Sequence, residues 1–143
     1  EGAGGILLVV AQNLRVLVIA SALGVFSLGV LAVIILLAPM IIIGYLSSQM
    51  AAAGIAPLVI LAALAPHSLL ELPAALLAGA LAVRLGASVL APPPGRSIGA
   101  GWVEALADTL RLWALLVLPL LLAAAAVEVY LTPILVRLAV GAA

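Results

Sequence analysis

The chain has 143 residues, of which 69% are hydrophobic and 7% are charged, and its net charge at neutral pH is zero. About a quarter of the residues in a soluble domain are charged, so this composition predicts an integral membrane protein. Zero net charge argues against a nucleic-acid surface or a polybasic lipid-binding patch. The lack of cysteine excludes disulfides, thiolate catalysis and Cys-ligated metals. We expect one transmembrane domain over residues 1–143, belonging to a longer protein that begins upstream of Glu1.

Residues 6–27 form the first predicted helical segment, and a polar cluster from Gln12 to Arg15 interrupts it. In one interpretation the span begins near Leu14, residues 6–12 lie at the membrane interface, and Arg15 extends towards the headgroups. In the other, residues 6–27 cross the membrane as one helix. Asn13 and Arg15 then lie inside the membrane and need a partner, for which Glu71 and Glu128 are the candidates. The first interpretation has the lower energetic cost, because it keeps the charge out of lipid.

The next predicted helix runs from about Leu28 to Ala53, with a bend expected near Pro39. The apolar run 55–65 that follows is too short to span a bilayer, because a helix needs about 20 apolar residues to cross it. Pro66 ends this run, which we interpret either as a half-helix whose end is buried in protein or as a short interfacial helix.

The second half of the chain contains two more predicted spans, at 69–90 and 112–138, separated by a proline-rich loop at 91–99. Residues 102–113 have a tryptophan at each end and their charged side chains on one side, which is typical of an amphipathic helix in the headgroup plane. The predicted fold is therefore all-α: a polytopic transmembrane helix bundle of about four spans, plus a broken or half-helix and one interfacial amphipathic helix.

The stretch from Pro66 to Pro73 contains the only histidine of the chain. His67 and Glu71 are four residues apart, so their side chains lie on one face of a helix, one turn apart. Ionisable groups at membrane depth are costly and persist mainly where they face other helices or a wet cavity. These two residues either stabilise the start of a helix or form a functional site.

Four polar residues on separate predicted segments form the candidate site. Asn13, His67, Glu71 and Glu128 would each be costly alone in lipid, and burying them together lowers that cost. We therefore expect these four side chains to meet inside the bundle. The sequence indicates no cofactor and no metal site there. A zinc protease site needs a cluster such as His-Glu-x-x-His, whereas this chain has one histidine and no cysteine, which leaves at most His67, Glu71 and Glu128 as ligands.

Several of these features, taken in order, resemble the stage II sporulation protein M family. The resemblance covers nearly the whole chain from Asn13, and it depends on Asn13, the Pro66–Ala74 segment with Glu four residues after His, Gly79, Gly86, Glu128 and the Leu131–Pro133 ending. The chain departs from the family pattern in having Gln12 before Asn13, Ser68 where a glycine follows the histidine, and Ala38 and Pro39 near a common Asn-Gly.

The resemblance implies a multi-pass protein of the bacterial or archaeal cell membrane without catalytic activity. Its best-known members anchor a peptidoglycan-degrading complex at the engulfing septum of endospore formers, and many relatives occur in organisms that do not sporulate. We expect either a membrane scaffold that assembles partner proteins or a permease-like or channel-like unit whose buried polar residues line a path. The expected partners are the lipid bilayer and other membrane proteins or a second copy of the chain.

Overall fold

The computed structural model describes residues 2–27, 30–92 and 94–142, and this part of the chain is helical with short turns. The α-helices are α1 (Gly2–Phe26), α2 (Val30–Ala52), α3 (Pro57–Ala87), α4 (Ile98–Leu112), α5 (Leu118–Ala126) and α6 (Thr132–Ala142). Two π-helical segments, Trp113–Val117 and Val127–Leu131, join α4 to α5 and α5 to α6. We call the resulting continuous helix, Ile98–Ala142, the long rod.

Four helical stretches in the described residues are long and apolar enough to cross a membrane: Gly4–Phe26, Val30–Ala52, Ser68–Ala87 and Ile98–Ala142. Many large apolar side chains on them are exposed, among them Ile41 at 71% and Leu76 at 65%. Exposed apolar surface of this extent is compatible with lipid as the surrounding solvent. The all-α transmembrane bundle predicted from the sequence is confirmed.

Contacts between helices show that α1 and α3 run in the same direction. Asn13 bonds to Glu71, and Gly24 packs against Ala82; both pairs are separated by 58 positions. Gly24 also packs against Ala32 of α2, which contacts both α1 and α3. The turn before α3 uses Gly54 with a φ of 79°, a conformation that favours glycine.

The long rod runs antiparallel to α1 and α3. Its first part meets the end of α3 where Arg84 pairs with Asp108, and its last part, around Leu138, shares a groove with Leu58 at the start of α3. The four spans therefore alternate in direction. At their centre small and branched apolar side chains are buried: Leu17, Ala74, Ala78, Leu81, Val117 and Leu121.

The boundaries of the first and third spans differ from the sequence predictions. The first helix begins at Gly2, so residues 6–12 belong to α1 and the single-helix alternative describes this segment. The predicted half-helix 55–65 and the span after it are joined in one helix of 31 residues, α3, with Pro66 and Pro73 inside it. At 1.5 Å per residue α3 is about 46 Å long, more than the roughly 30 Å of a bilayer core.

The predicted amphipathic helix is present as α4, and it continues without a turn into the last span. A proline, Pro119 or Pro133, lies two residues after the end of each π segment. The N–H groups of Leu118 and Thr132 bond to carbonyls five residues back, at Trp113 and Val127. A proline ring clashes with the carbonyl four residues before it, so a locally wider turn lets the helix continue past the proline.

Candidate functional site

The hydrogen bond between Asn13 and Glu71 is the centre of the candidate site. Asn13 lies in the middle of α1, and its Nδ2 donates to Oε1 of Glu71 on α3 over 2.5 Å. Both side chains are half-buried. Because α1 is one continuous helix, Asn13 is held at membrane depth, where an amide and a carboxyl group need a protein partner. Glu71 is one of the two acids that the sequence suggested for this role.

A cavity of about 90 Å³ adjoins the Asn13–Glu71 pair. Apart from the pair, its lining is apolar: Val16, Leu17, Pro39, Met40, Ala75 and Leu121. The cavity thus combines one hydrogen-bonded polar pair with walls contributed by α1, α2, α3 and α5. Chemically it offers a carboxyl group and an amide in surroundings of low polarity, where a satisfied hydrogen bond is stronger than in water.

His67 and Glu128 complete the predicted set. The backbone of His67 lies in α3 one turn before Glu71, and its side chain is outside the part of the chain that the structure describes. Glu128 lies half-buried on the second π segment. Its neighbour Val129 would contact a Cβ placed on Gly5 at 3.5 Å.

Glu128 is therefore level with the start of α1, eight residues and about 12 Å along the helix axis from Asn13. It is not among the residues that line the cavity. Within the described residues, no group of three or more His, Asp or Glu side chains is placed to hold a metal ion. The structure joins Asn13 to Glu71, and the meeting of all four residues stays a prediction.

A second polar cluster, which the sequence analysis missed, lies at the end of the bundle where α3 meets α4. Arg84 Nη2 lies 2.6 Å from Asp108 Oδ2, and Arg96 Nη1 lies 3.4 Å from Glu104 Oε2. All four side chains are about half exposed. The charged side of α4 was visible in the sequence, but its partners on α3 and on the connecting turn were not. This cluster places charged, half-exposed side chains at one end of the bundle.

Comparison with family models identifies a match to stage II sporulation protein M over residues 2–133. This match covers most of the 143 residues and includes Asn13, Glu71 and Glu128. The chain belongs to the stage II sporulation protein M family. Comparisons with curated protein sequences and with solved structures give no significant match. The family assignment expected from the order of the motifs is thus confirmed, and the matched region ends at Pro133, just after the second π segment.

Proposed function

We propose that this protein is a non-catalytic scaffold of the cell membrane that recruits partner proteins through its membrane-embedded outer surface. The observation that carries the proposal is the division between a closed bundle centre and an extensive exposed helix surface. Membership of the stage II sporulation protein M family supports a membrane protein of this kind.

The centre of the bundle favours a scaffold over a conduit. Val117 and Ala74 have no solvent exposure, and Leu121 next to them is 2% exposed. A conduit needs polar groups or water at several depths, whereas the described centre has one polar pair beside a cavity of about 90 Å³ and otherwise packed apolar side chains. Asn13 on α1 donates a hydrogen bond to Glu71 on α3, so this pair also holds the two helices together.

The outer surface of α2 is the least covered by the rest of the molecule among the four spans of the described residues. Only 6% of its most apolar window is buried inside the molecule. Gly44 and Ser48 lie one turn apart on α2 and are both exposed. Small residues let a second helix approach closely, which is how helices associate in lipid.

The proposal is tested by copurification from the native membrane. Tagged protein is solubilised in mild detergent, and copurifying proteins are quantified by mass spectrometry against an untagged strain. A scaffold is expected to retain a small, reproducible set of membrane proteins in near-stoichiometric amounts. The matched variant Gly44→Leu places a large side chain where a second helix would approach α2. It should reduce the amount of copurifying membrane proteins while the yield of folded protein is unchanged. Recovery of the protein alone, at native expression and in several detergents, would contradict the scaffold.

A second function, transport, is favoured by one observation: the Asn13–Glu71 pair lies at membrane depth beside a cavity. Carboxyl groups in such positions occur along ion and proton pathways. Purified protein in liposomes distinguishes the two functions. The scaffold predicts no proton or ion flux above that of empty liposomes. A flux that disappears with Glu71→Gln and persists with the exposed control Glu104→Gln would establish transport instead.

A further inference from the structure

The outer face of α1 carries two exposed polar side chains in the middle of its span. Gln12 and Arg15 are both exposed and are three residues apart, so they lie on the same face of the helix. Exposed residues continue this face in alternating steps of four and three: Leu8, Gln12, Arg15, Ile19, Ala22 and Phe26. Such spacing produces the seam along which one helix packs against another in coiled coils and in left-handed membrane bundles.

The depth of Arg15 follows from the contacts between α1 and α3. The two helices are in register with an offset of 58 residues, so Arg84 on α3 is level with Phe26 on α1. Arg15 is eleven residues before Phe26, which is about 16 Å along the helix axis. Because the Arg84–Asp108 pair is charged and half exposed, we place the membrane surface at its level. The centre of a bilayer core lies about 15 Å from its edge, so Arg15 is close to the midplane.

An arginine at this depth is unfavourable without a partner. The cost at the centre of a helix is about 2.5–3.5 kcal/mol on insertion scales, and larger for an isolated helix. In the part of the chain that the structure describes, Arg15 forms no ion pair: the two ion pairs found there use Arg84 and Arg96. Gln12 likewise forms no side-chain hydrogen bond within the described residues.

We propose that this face of α1 is the docking surface for a transmembrane helix of another protein, which carries a carboxylate near the membrane midplane. The guanidinium group of Arg15 and the amide of Gln12 both donate to that carboxylate. Apolar side chains above and below them, such as Leu8 and Ile19, pack against the incoming helix. This inference depends on the proposed scaffold function, because it names the chemistry of the recruited partner.

A second copy of the chain does not supply this carboxylate. In a dimer whose symmetry axis is normal to the membrane, each residue meets residues at its own depth. The acid closest in depth to Arg15 is Glu71, which is half-buried and bonded to Asn13. Glu128 is level with Gly5, ten residues and about 15 Å from Arg15 along the axis. A lipid phosphate is also remote, because it lies beyond the edge of the hydrocarbon core.

The test uses the full chain in liposomes with synthetic transmembrane probes. The probes are Leu/Ala helices of about 20 residues that carry one central Glu, Gln or Leu, and their association with labelled protein is measured by fluorescence energy transfer. We expect the Glu probe to associate about tenfold more tightly than the Leu probe. Arg15→Leu should abolish this difference and Arg15→Lys should retain much of it. Arg137→Leu, which removes an exposed arginine near the end of the long rod, should have no effect.

Three results would overturn the inference. One is equal association of the Glu and Leu probes with protein whose thermal unfolding shows it to be folded. Another is self-association of the protein alone that disappears with Arg15→Leu, which would identify a second copy as the occupant. The scaffold itself is tested separately by copurification. The third is copurification of the same partners with the Arg15→Leu variant. That result would contradict the docking surface and leave the proposed scaffold function intact.

Discussion

Replacement of Gly24 by alanine is expected to force apart three helices. Gly24 is buried where α1 crosses α2 and α3, and a Cβ placed on it would lie 2.8 Å from the Cβ of Ala32 and 2.9 Å from that of Ala82. Ordinary van der Waals contact for such atoms begins at 3.4 Å. The two methyl groups are fixed to helix backbones and have no torsion that moves them aside. The new methyl group is therefore accommodated only by displacement of a whole helix.

The size of the effect follows from two opposing contributions. Overpacking of a well-packed site costs about 1–3 kcal/mol, whereas replacing glycine by alanine in a helix gains up to about 1 kcal/mol. Gly44→Ala is the matched control, because Gly44 is also helical and no atom lies within 4 Å of its added Cβ. The control variant gains helix propensity and introduces no steric overlap. We expect Gly24→Ala to be about 1–3 kcal/mol less stable than Gly44→Ala.

Both variants can be compared by unfolding in mixed micelles, with helicity measured as the fraction of denaturing detergent is raised. Combining Gly24→Ala with Ala82→Gly and Ala32→Gly removes both overlapping methyl groups and should recover part of the lost stability. Equal stability of Gly24→Ala and Gly44→Ala would refute the close approach of the three helices. Recovery by a distant glycine substitution alone would refute the assignment of the overlap to these two alanines.

Three further results are expected. Asn13→Ala should lower the free energy of unfolding by about 1 kcal/mol, which is the scale of a side-chain hydrogen bond between membrane helices. A double-mutant cycle with Glu71→Leu that shows no coupling energy would contradict the Asn13–Glu71 bond. Arg84→Gln should change stability by less than about 1 kcal/mol, because its ion pair is exposed; a larger loss would indicate a structural role for that pair. A cysteine at Ser97 should react with a membrane-impermeant maleimide and a cysteine at Ala80 should not, and reaction at both would disprove the assignment of α3 to the membrane.

The number of spans could be predicted from the sequence because hydropathy and length are local properties. Segments of about 20 apolar residues must form helices in lipid, since every backbone polar group there has to be bonded within its segment. The turn around Gly95, whose φ is 77°, lies inside the predicted loop 91–99 for a similarly local reason. The sequence also predicted Glu71 and Glu128 as the two candidate partners of Asn13, for the case in which residues 6–27 cross the membrane as one helix. The structure shows a hydrogen bond to Glu71.

Helix continuity through the prolines could not be predicted from local signals. An isolated helix is kinked or broken at a proline, and on that basis the sequence predicts a short helix, either a half-helix or an interfacial one, that ends at Pro66. In the bundle, packing of α3 against α6 holds the segment on both sides of Pro66 in one helix. The π segments before Pro119 and Pro133 achieve the same continuity in the long rod. These effects depend on neighbouring helices, which the sequence does not identify.

The polar cluster in α1 shows how one short stretch can contribute to two surfaces. Successive residues of a helix are rotated by about 100°, so Asn13 and Arg15 point in widely different directions although they are two residues apart. Asn13 faces α3 and bonds to Glu71, while Arg15 is exposed on the outer face. If the cluster served only to start a helix at the membrane surface, neither residue would need a partner at membrane depth. The half-buried bond of Asn13 fixes the register of α1 against α3, and that register in turn places Arg15 near the middle of the span, at the depth of the carboxylate that we propose for the partner helix.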